Sequence, residues 1–316
     1  MRPTFKHRVE FAGLYLVFLL GRAFPRKSFV ALGSMLGRFV FDVLKIRREV
    51  TLANLRSTFG ETMSEDEYVA LARRAYGQLG GSLLEFTSLP GMDREELREV
   101  VRFENLDIID RVRESGSGAM LVTAHFGSWE LFGASFVSRG YDTTFFVKRQ
   151  KNPLVADMQD DIRRKAGIEI VTEGPAVAKG VLRALRKGHL VGILPDQDAR
   201  RHGVFVEFLG RVASTFKGPA YFAYRANVPI IPAYVRRTED GNHLGVILDA
   251  IYPDPTRDVD EEVFRLTQAY TDRMTEFIRE YPENYFWVHR RFKSTPPDPV
   301  PYLAEYRAAE AAQPRS

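Results

Sequence analysis

The sequence predicts an α/β protein: a mostly parallel sheet flanked by helices, with an N-terminal helical membrane-associated segment. Two observations carry this. From residue 119 onward, short strand-type apolar runs alternate with segments of helical length, the pattern of a sheet wound with helices. Before that point, two Phe- and Leu-rich stretches lie between basic flanks, the composition of helices at a bilayer interface.

Arg2, Lys6 and Arg8 precede the apolar run from Phe11 to Gly21, and a second run from Phe29 to Leu44 closes on Lys45, Arg47 and Arg48. Arg22, Arg38 and Asp42 interrupt them. Neither reaches the roughly 20 clean apolar residues of a spanning helix. Gly21-Arg22-Ala23-Phe24-Pro25 is a poor signal-peptide cleavage site. The chain therefore divides into N-terminal membrane-associated helices (1–48), an α/β domain (49–293) and a Pro/Ala-rich tail (294–316) expected to be loosely attached.

Residues 49–112 read as helical. Ser64 with Glu67 three residues later is a capping box, Pro90-Gly91 stops that helix, and Asp93 starts another. The sheet core follows, with strands expected at 119–124, 143–148, 168–172, 190–194, 229–236 and 243–251. Helices are expected at 129–138, 153–166, 175–187 and 217–226, with a longer one at 259–281. Lys187-Gly188 is a C-terminal stop before the strand at 190.

The 316 residues, 45% hydrophobic, suffice for a sizeable core. The net charge of +4 suits an anionic membrane surface or phosphorylated substrates; charge alone would serve nucleic acid equally, but no nucleic-acid partner is expected. The absence of cysteine excludes disulfides, thiol nucleophiles and cysteine-ligated metal centres. There is no Gly-x-Ser-x-Gly elbow, phosphate-binding loop or His-Glu-x-x-His. No metal and no resident cofactor are expected.

The chemistry centres on Ala119–Glu130, read as strand, turn and helix. Ser128 is a candidate N-cap, and Glu130 falls in the first helical turn. His125 and Glu130 are five apart, so they would face away from each other on one helix. They can meet only with His125 in a turn, which Gly127 permits. A carboxylate-oriented imidazole is a general-base device; a capping Glu beside an incidental His is the alternative.

Other candidates end other strands, where ligands gather in such sheets. Arg149 can clamp a phosphate or polarise a carbonyl, or be a solvated strand end. Asp196 and Asp198 can form a metal pair or an ordinary turn, and Arg200 and Arg201 directly after them argue for an anionic substrate. Residues 205–219 read as an apolar loop that shapes a groove, or as a hairpin. Tyr285–Phe292, with His289, Arg290 and Arg291, reads as an aromatic-basic interface segment rather than a second site.

These features occur in a distinctive order: His-x4-Glu, the strand-ending arginine, Pro-Asp-Gln-Asp, Phe-Leu-Gly…Thr…Gly-Pro-Ala, then Glu-Asn-Tyr-Phe-Trp-Val-His-Arg-Arg-Phe-Lys. Together they resemble the late acyltransferases of lipid A biosynthesis, lauroyl/myristoyl type, within the lysophospholipid-acyltransferase-like group. The resemblance runs to about residue 293. It implies an enzyme on the cytoplasmic face of the bacterial inner membrane. Such an enzyme moves a fatty acyl chain from acyl carrier protein or coenzyme A to a hydroxyl of a lipid A precursor. On that reading His125 is the general base and Glu130 its partner. The helix after Gly127, with Arg149, faces the oxyanion, and Asp196, Asp198, Arg200, Arg201 and Thr215 lie on the substrate side. Transfer to another glycolipid or an aminolipid stays open, as do a metal-dependent glycosyltransferase using Asp196/Asp198 and a non-catalytic binding protein of the same fold. Oligomeric state and acyl chain length are not readable from the sequence.

Overall fold

The structure is a computed structural model and describes residues 3–174 and 176–312. Five helices come first. Helix α1 (Phe5–Ala23) starts at a Thr4 capping box, and α2 (Arg26–Phe39) runs into a π-helical turn at Val40–Leu44. Helix α3 (Arg48–Phe59) leads to α4 (Glu65–Ser88), which begins at the Ser64–Glu67 capping box read from the sequence. Helix α5 (Arg94–Val100) is capped by Asp93.

Strand and helix then alternate: β1 (Val101–Glu104), α6 (Asp107–Glu114), β2 (Ala119–Val122), α7 (Trp129–Ser138), β3 (Thr143–Val147), α8 (Pro153–Lys165), β4 (Glu169–Thr172), α9 (Val177–Arg186) and β5 (Leu190–Ile193). A hairpin follows, β6 (Val204–Phe208) and β7 (Arg211–Thr215), and then α10 (Gly218–Ala226), β8 (Ile230–Arg237), β9 (His243–Ile247) and α11 (Val259–Glu280). Helix α12 (Leu303–Ala311) is the last element of the described residues.

The seven-stranded sheet has the order β1-β9-β8-β2-β5-β3-β4, and every pairing in it is parallel except β8 with β9. Strands β2 and β5 are buried throughout. Alternate side chains serve the two sides: Met120, Val122, Val191 and Ile193 enter one apolar cluster, while Ala119, Leu121 and Leu190 enter the other. That is the period-2 geometry of a strand covered on both faces.

The α/β reading and the expected core elements hold, with ends shifted by a few residues. Two regions differ, and a third resolves between the alternatives left open for it. Residues 101–104 form the edge strand β1 inside a segment read as helical; four residues carrying Arg102 and Glu104 give too short a signal. Of the two alternatives for residues 205–219, the hairpin holds for 204–215, in a register from Val204↔Thr215 to Phe208↔Arg211. The described part of the tail, to residue 312, is docked rather than loose: Arg307 reaches Asp272 on α11 at 3.0 Å and Glu207 at 3.4 Å.

The N-terminal helices are packed on one another and, through Glu85, fastened to the sheet. Gly33 and Gly37 of α2 cross the glycines of α4 so closely that a Cβ on Gly37 would lie 1.9 Å from the Tyr76 carbonyl oxygen. Glu85 of α4, fully buried, receives Arg26 of α2 at 2.5 Å, Arg237 of β8 at 2.7 Å and His243 of β9 at 2.9 Å. Among the described residues no helix is long and apolar enough to cross a membrane. Yet α1, α2 and the π-turn leave Phe5, Leu16, Met35, Phe39, Val43 and Leu44 exposed.

Candidate active site

Strand β2 delivers the histidine. Its register pairs Val122 with Ile193 of β5. His125 and Asp196 each stand three residues past that pair, so they emerge level with each other at the carboxyl edge of adjacent parallel strands. Both oxygens of Asp196 face His125: Oδ1 lies 2.7 Å from the ring Nδ1, and Oδ2 accepts from the His125 backbone N–H at 3.0 Å. The chain then turns at Gly127, whose φ of +57° lies in the left-handed region. A Cβ there would also sit 2.0 Å from the Val235 carbonyl oxygen, so glycine is required on two counts. Helix α7 begins two residues later.

Asp196 is 1% exposed and the His125 side chain 23%. The inner nitrogen of the ring is thus occupied while Nε2 faces outward, with the Gln197 amide nitrogen 3.4 Å away. Trp129 and Phe286 flank the ring, with centroids at 5.2 and 5.6 Å. Burial pulls the imidazole pKa down, but the charge and hydrogen bond of Asp196 outweigh it, and the more distant Glu130 adds to them, so the net shift is upward from 6.5. Burial alone would raise the Asp196 pKa; the facing histidine, with Arg291 behind it, holds it low.

The structure therefore corrects the expected pairing. Glu130 does lie in the first turn of α7, but it turns to Arg163 of α8, which grips both oxygens at 2.5 and 3.0 Å. Arg163 also contacts Asp160 at 3.4 Å. The partner of His125 is Asp196, in place of the substrate-side role that the resemblance implies for it. Ser128 stands at the N-cap position without a side-chain cap bond.

The other candidates separate into surface and core. Arg149 is half-exposed and pairs with Asp157 and Asp160. Arg200 and Arg201 lie in an exposed one-turn helix just past Asp198. The Asp198 backbone N–H donates to His289 Nε2 at 3.0 Å. Thr215 is fully buried in β7 and its hydroxyl accepts from Arg291, so the substrate-side position expected for it is corrected.

The C-terminal aromatic-basic block is also corrected, from interface segment to inner wall. Tyr285, Trp287 and Arg291 are buried. Phe286 N–H donates to the His125 carbonyl at 3.1 Å, and Gly127 N–H to that of Asn284 at 2.9 Å. From α3, the Asn54 amide holds the Trp287 and His289 carbonyls, each at 2.8 Å. Asn54 and Arg163 give no sequence signal, and Tyr285 and Arg291 read only as an interface segment, because each makes its contacts across a long stretch of chain. The equal distance of His125 and Asp196 past their strands is the one signal that was present.

Comparison with known proteins shows what the chain is similar to. The sequence pattern of the bacterial lipid A biosynthesis acyltransferases matches residues 2–294. The chain is 30% identical to the lipid A biosynthesis lauroyltransferase of Escherichia coli K12 over 279 residues, 86% of this chain and 87% of that one. It is 27% identical to the palmitoleoyltransferase of the same organism over 269 residues, covering 84% and 85% of the two chains. It is also 26% identical to a phosphatidylinositol mannoside acyltransferase of Mycolicibacterium smegmatis over 200 residues, covering 62% and 64%. An imidazole–carboxylate pair at the carboxyl edge of a parallel sheet, in a chain matched over nearly its full length, identifies a member of the bacterial lipid A biosynthesis acyltransferase family.

Proposed function

We propose that this protein transfers a fatty acyl chain from an acyl thioester to a hydroxyl of a lipid A precursor, with His125 as general base and Asp196 as its partner. The observation that carries the reading is the 2.7 Å contact between His125 Nδ1 and Asp196. With its proton on Nδ1, the ring offers the Nε2 lone pair outward. Nε2 takes the acceptor hydroxyl proton as that oxygen attacks the thioester carbonyl. A new C–O bond forms and the carbonyl oxygen becomes an oxyanion beside the N–H groups that open α7. Collapse breaks the C–S bond, and the imidazolium returns its proton to the leaving thiolate. The charge on Asp196 stabilises the imidazolium between the two transfers. Glu130 contributes its field and, through Arg163, fixes α7 against α8.

Arg149, Arg200 and Arg201 are assigned to phosphates of the acceptor or of the donor's pantetheine arm, on the strength of charge and exposure. The donor is acyl carrier protein or coenzyme A; the excess of basic residues suits an acidic carrier. The exposed apolar faces of α1 and α2, beside Lys6, Arg8, Lys45 and Arg47, support attachment in the plane of a membrane interface, at the cytoplasmic face of the inner membrane. The Asp196/Asp198 metal-pair reading is disfavoured, because both oxygens of Asp196 are committed to His125.

The test is transfer in detergent micelles from labelled carrier-protein and coenzyme A thioesters to a tetra-acylated lipid A precursor, with His125→Ala in parallel. Product from wild type and none from the variant is expected. No product with either donor would remove lipid A as acceptor; full activity in the variant would remove the base.

A further inference from the structure

We propose that the groove between α2 and α4 is a binding site for a membrane glycerophospholipid, with Arg38 on its phosphodiester and its acyl chains along an apolar row of α2. The proposal deepens the membrane-attachment part of the function proposed above and rests on it. None of the groove residues belongs to the His125–Asp196 site.

Two charges, Arg38 and Asp42, interrupt the second apolar run of the sequence. Helix α2 and its π-helical turn sort them to one side. Ala31, Met35, Phe39 and Val43 recur at every fourth residue and form one row; Ser34, Arg38 and Asp42 recur in the same way beside it. Both rows line an open groove of about 470 Å³, a volume within the range of small-molecule sites. Met35, Phe39 and Val43 are 59%, 49% and 60% exposed, so the protein itself leaves the apolar wall half uncovered. The Arg38 side chain crosses α4 at Gly77, where an added Cβ would lie 3.2 Å from its Nε.

The charges in the groove do not balance. Asp42 is answered, since Arg73 Nε of α4 donates to its Oδ2 at 2.7 Å. Arg38 has neither a hydrogen bond nor an ion pair among the described residues. The groove therefore carries one cation in excess beside bare apolar surface. Its complement is an amphiphile with a single negative charge. The phosphodiester of a glycerophospholipid supplies that charge, on oxygens that suit a guanidinium fork, and its chains cover the row. A free phosphate ion would satisfy Arg38 and leave the row bare.

The surroundings suit a lipid. Leu32, Leu36 and Leu44, with Leu16 and Leu19 of α1, are also exposed, and Lys45 and Arg47 follow at the end of the turn. Exposed apolar patches of this kind mark interaction surfaces, and an apolar face that ends in basic residues is the composition of a helix lying at head-group level. A long arginine keeps its charge at that level while its stem lies on apolar surface.

The test is binding of the full chain to vesicles of phosphatidylcholine and of digalactosyldiacylglycerol. Both surfaces are uncharged overall, and only the first carries a phosphodiester. Wild type should bind the first about tenfold more tightly, the size of one charge-assisted hydrogen bond. Arg38→Gln should abolish that preference and bind the galactolipid as wild type does; Arg38→Lys should keep most of it. A preference that survives in Arg38→Gln would overturn the site. Phosphatidylcholine with a photoactivatable acyl chain should label Met35, Phe39 or Val43, and label confined to α1 would also overturn it. Displacement of that lipid by an equal concentration of chain-free glycerophosphocholine would mean an anion site only, and would refute the proposal. The two readings fail separately. A wild type that binds neither vesicle ends membrane attachment and the site with it; one that binds both alike keeps attachment and refutes the groove.

Discussion

Replacing Asp196 by Asn tests the partner assignment most directly. The substitution is nearly isosteric but cannot satisfy both hydrogen bonds. One acceptor oxygen serves the His125 backbone N–H and the other the ring Nδ1. The backbone donor cannot change, so the Asn oxygen stays with it and the amide nitrogen faces Nδ1. That drives the ring proton to Nε2, where the substrate proton must go. The charge is lost as well. Two unit charges about 4 Å apart at an effective dielectric near 20 interact by ~4 kcal/mol, or about three powers of ten in rate at 1.36 kcal/mol each. Burial of the pair removes part of this, so a fall in kcat of about 10²–10³ is expected, within the ordinary range for general-base catalysis. KM should change little, because Asp196 lies behind the base.

The assay is single-turnover transfer across pH. His125 must be neutral to act, and its pKa is raised from 6.5, by Asp196 against the opposing pull of burial. Wild-type activity should therefore fall on acidification along a limb that lies above pH 6.5. In Asp196→Asn the residual activity should carry that limb at lower pH. Activity within threefold of wild type, with an unmoved limb, would refute the assignment of Asp196 as partner.

Glu130→Gln leaves Arg163 in a largely buried site without its bidentate partner; a stability loss approaching the ~3–5 kcal/mol of a broken buried pair is expected, read by denaturant titration, with a smaller fall in kcat than for Asp196→Asn. Glu85→Gln should destabilise by a similar ~3–5 kcal/mol, since it strands Arg26 and Arg237. Burial raises the Glu85 pKa, but His243 and Arg237 depress it far more, so its contribution is complete above the unfolded carboxylate pKa and is lost as pH falls through the folded one. His243, pushed below 6.5 by burial against the opposing pull of Glu85, acts in the same direction: stability falls as pH drops below 6.5, and thermal melts from pH 8 to 5 should show more of this loss in Glu85→Gln, because the charge that holds the His243 pKa up is gone. Asn54→Ala removes the donor to the Trp287 and His289 carbonyls; a loss of about 1–3 kcal/mol is expected from unsatisfied buried groups, together with lower kcat, and a melting temperature equal to wild type would count against the clamp.

The sequence by itself determined what depends on neighbours along the chain. Caps at Ser64 and Asp93, the stop at Lys187-Gly188, the turn at Gly127 and the strand-to-helix order from 119 to 226 are local, and the structure contains them. The order of the motifs carried the family resemblance for the same reason. Partnership was another matter. Glu130, five residues from His125, was the natural partner along the chain, whereas Asp196 is 71 residues away. Only the strand order decides between them. Adjacency of β2 and β5, in the register Val122↔Ile193, brings the aspartate level with the histidine, while the pitch of α7 carries Glu130 across to Arg163. Short-range patterning fixes elements because their hydrogen bonds are local. A buried ion pair is fixed by which strands lie side by side, and that comes from packing of the whole sheet.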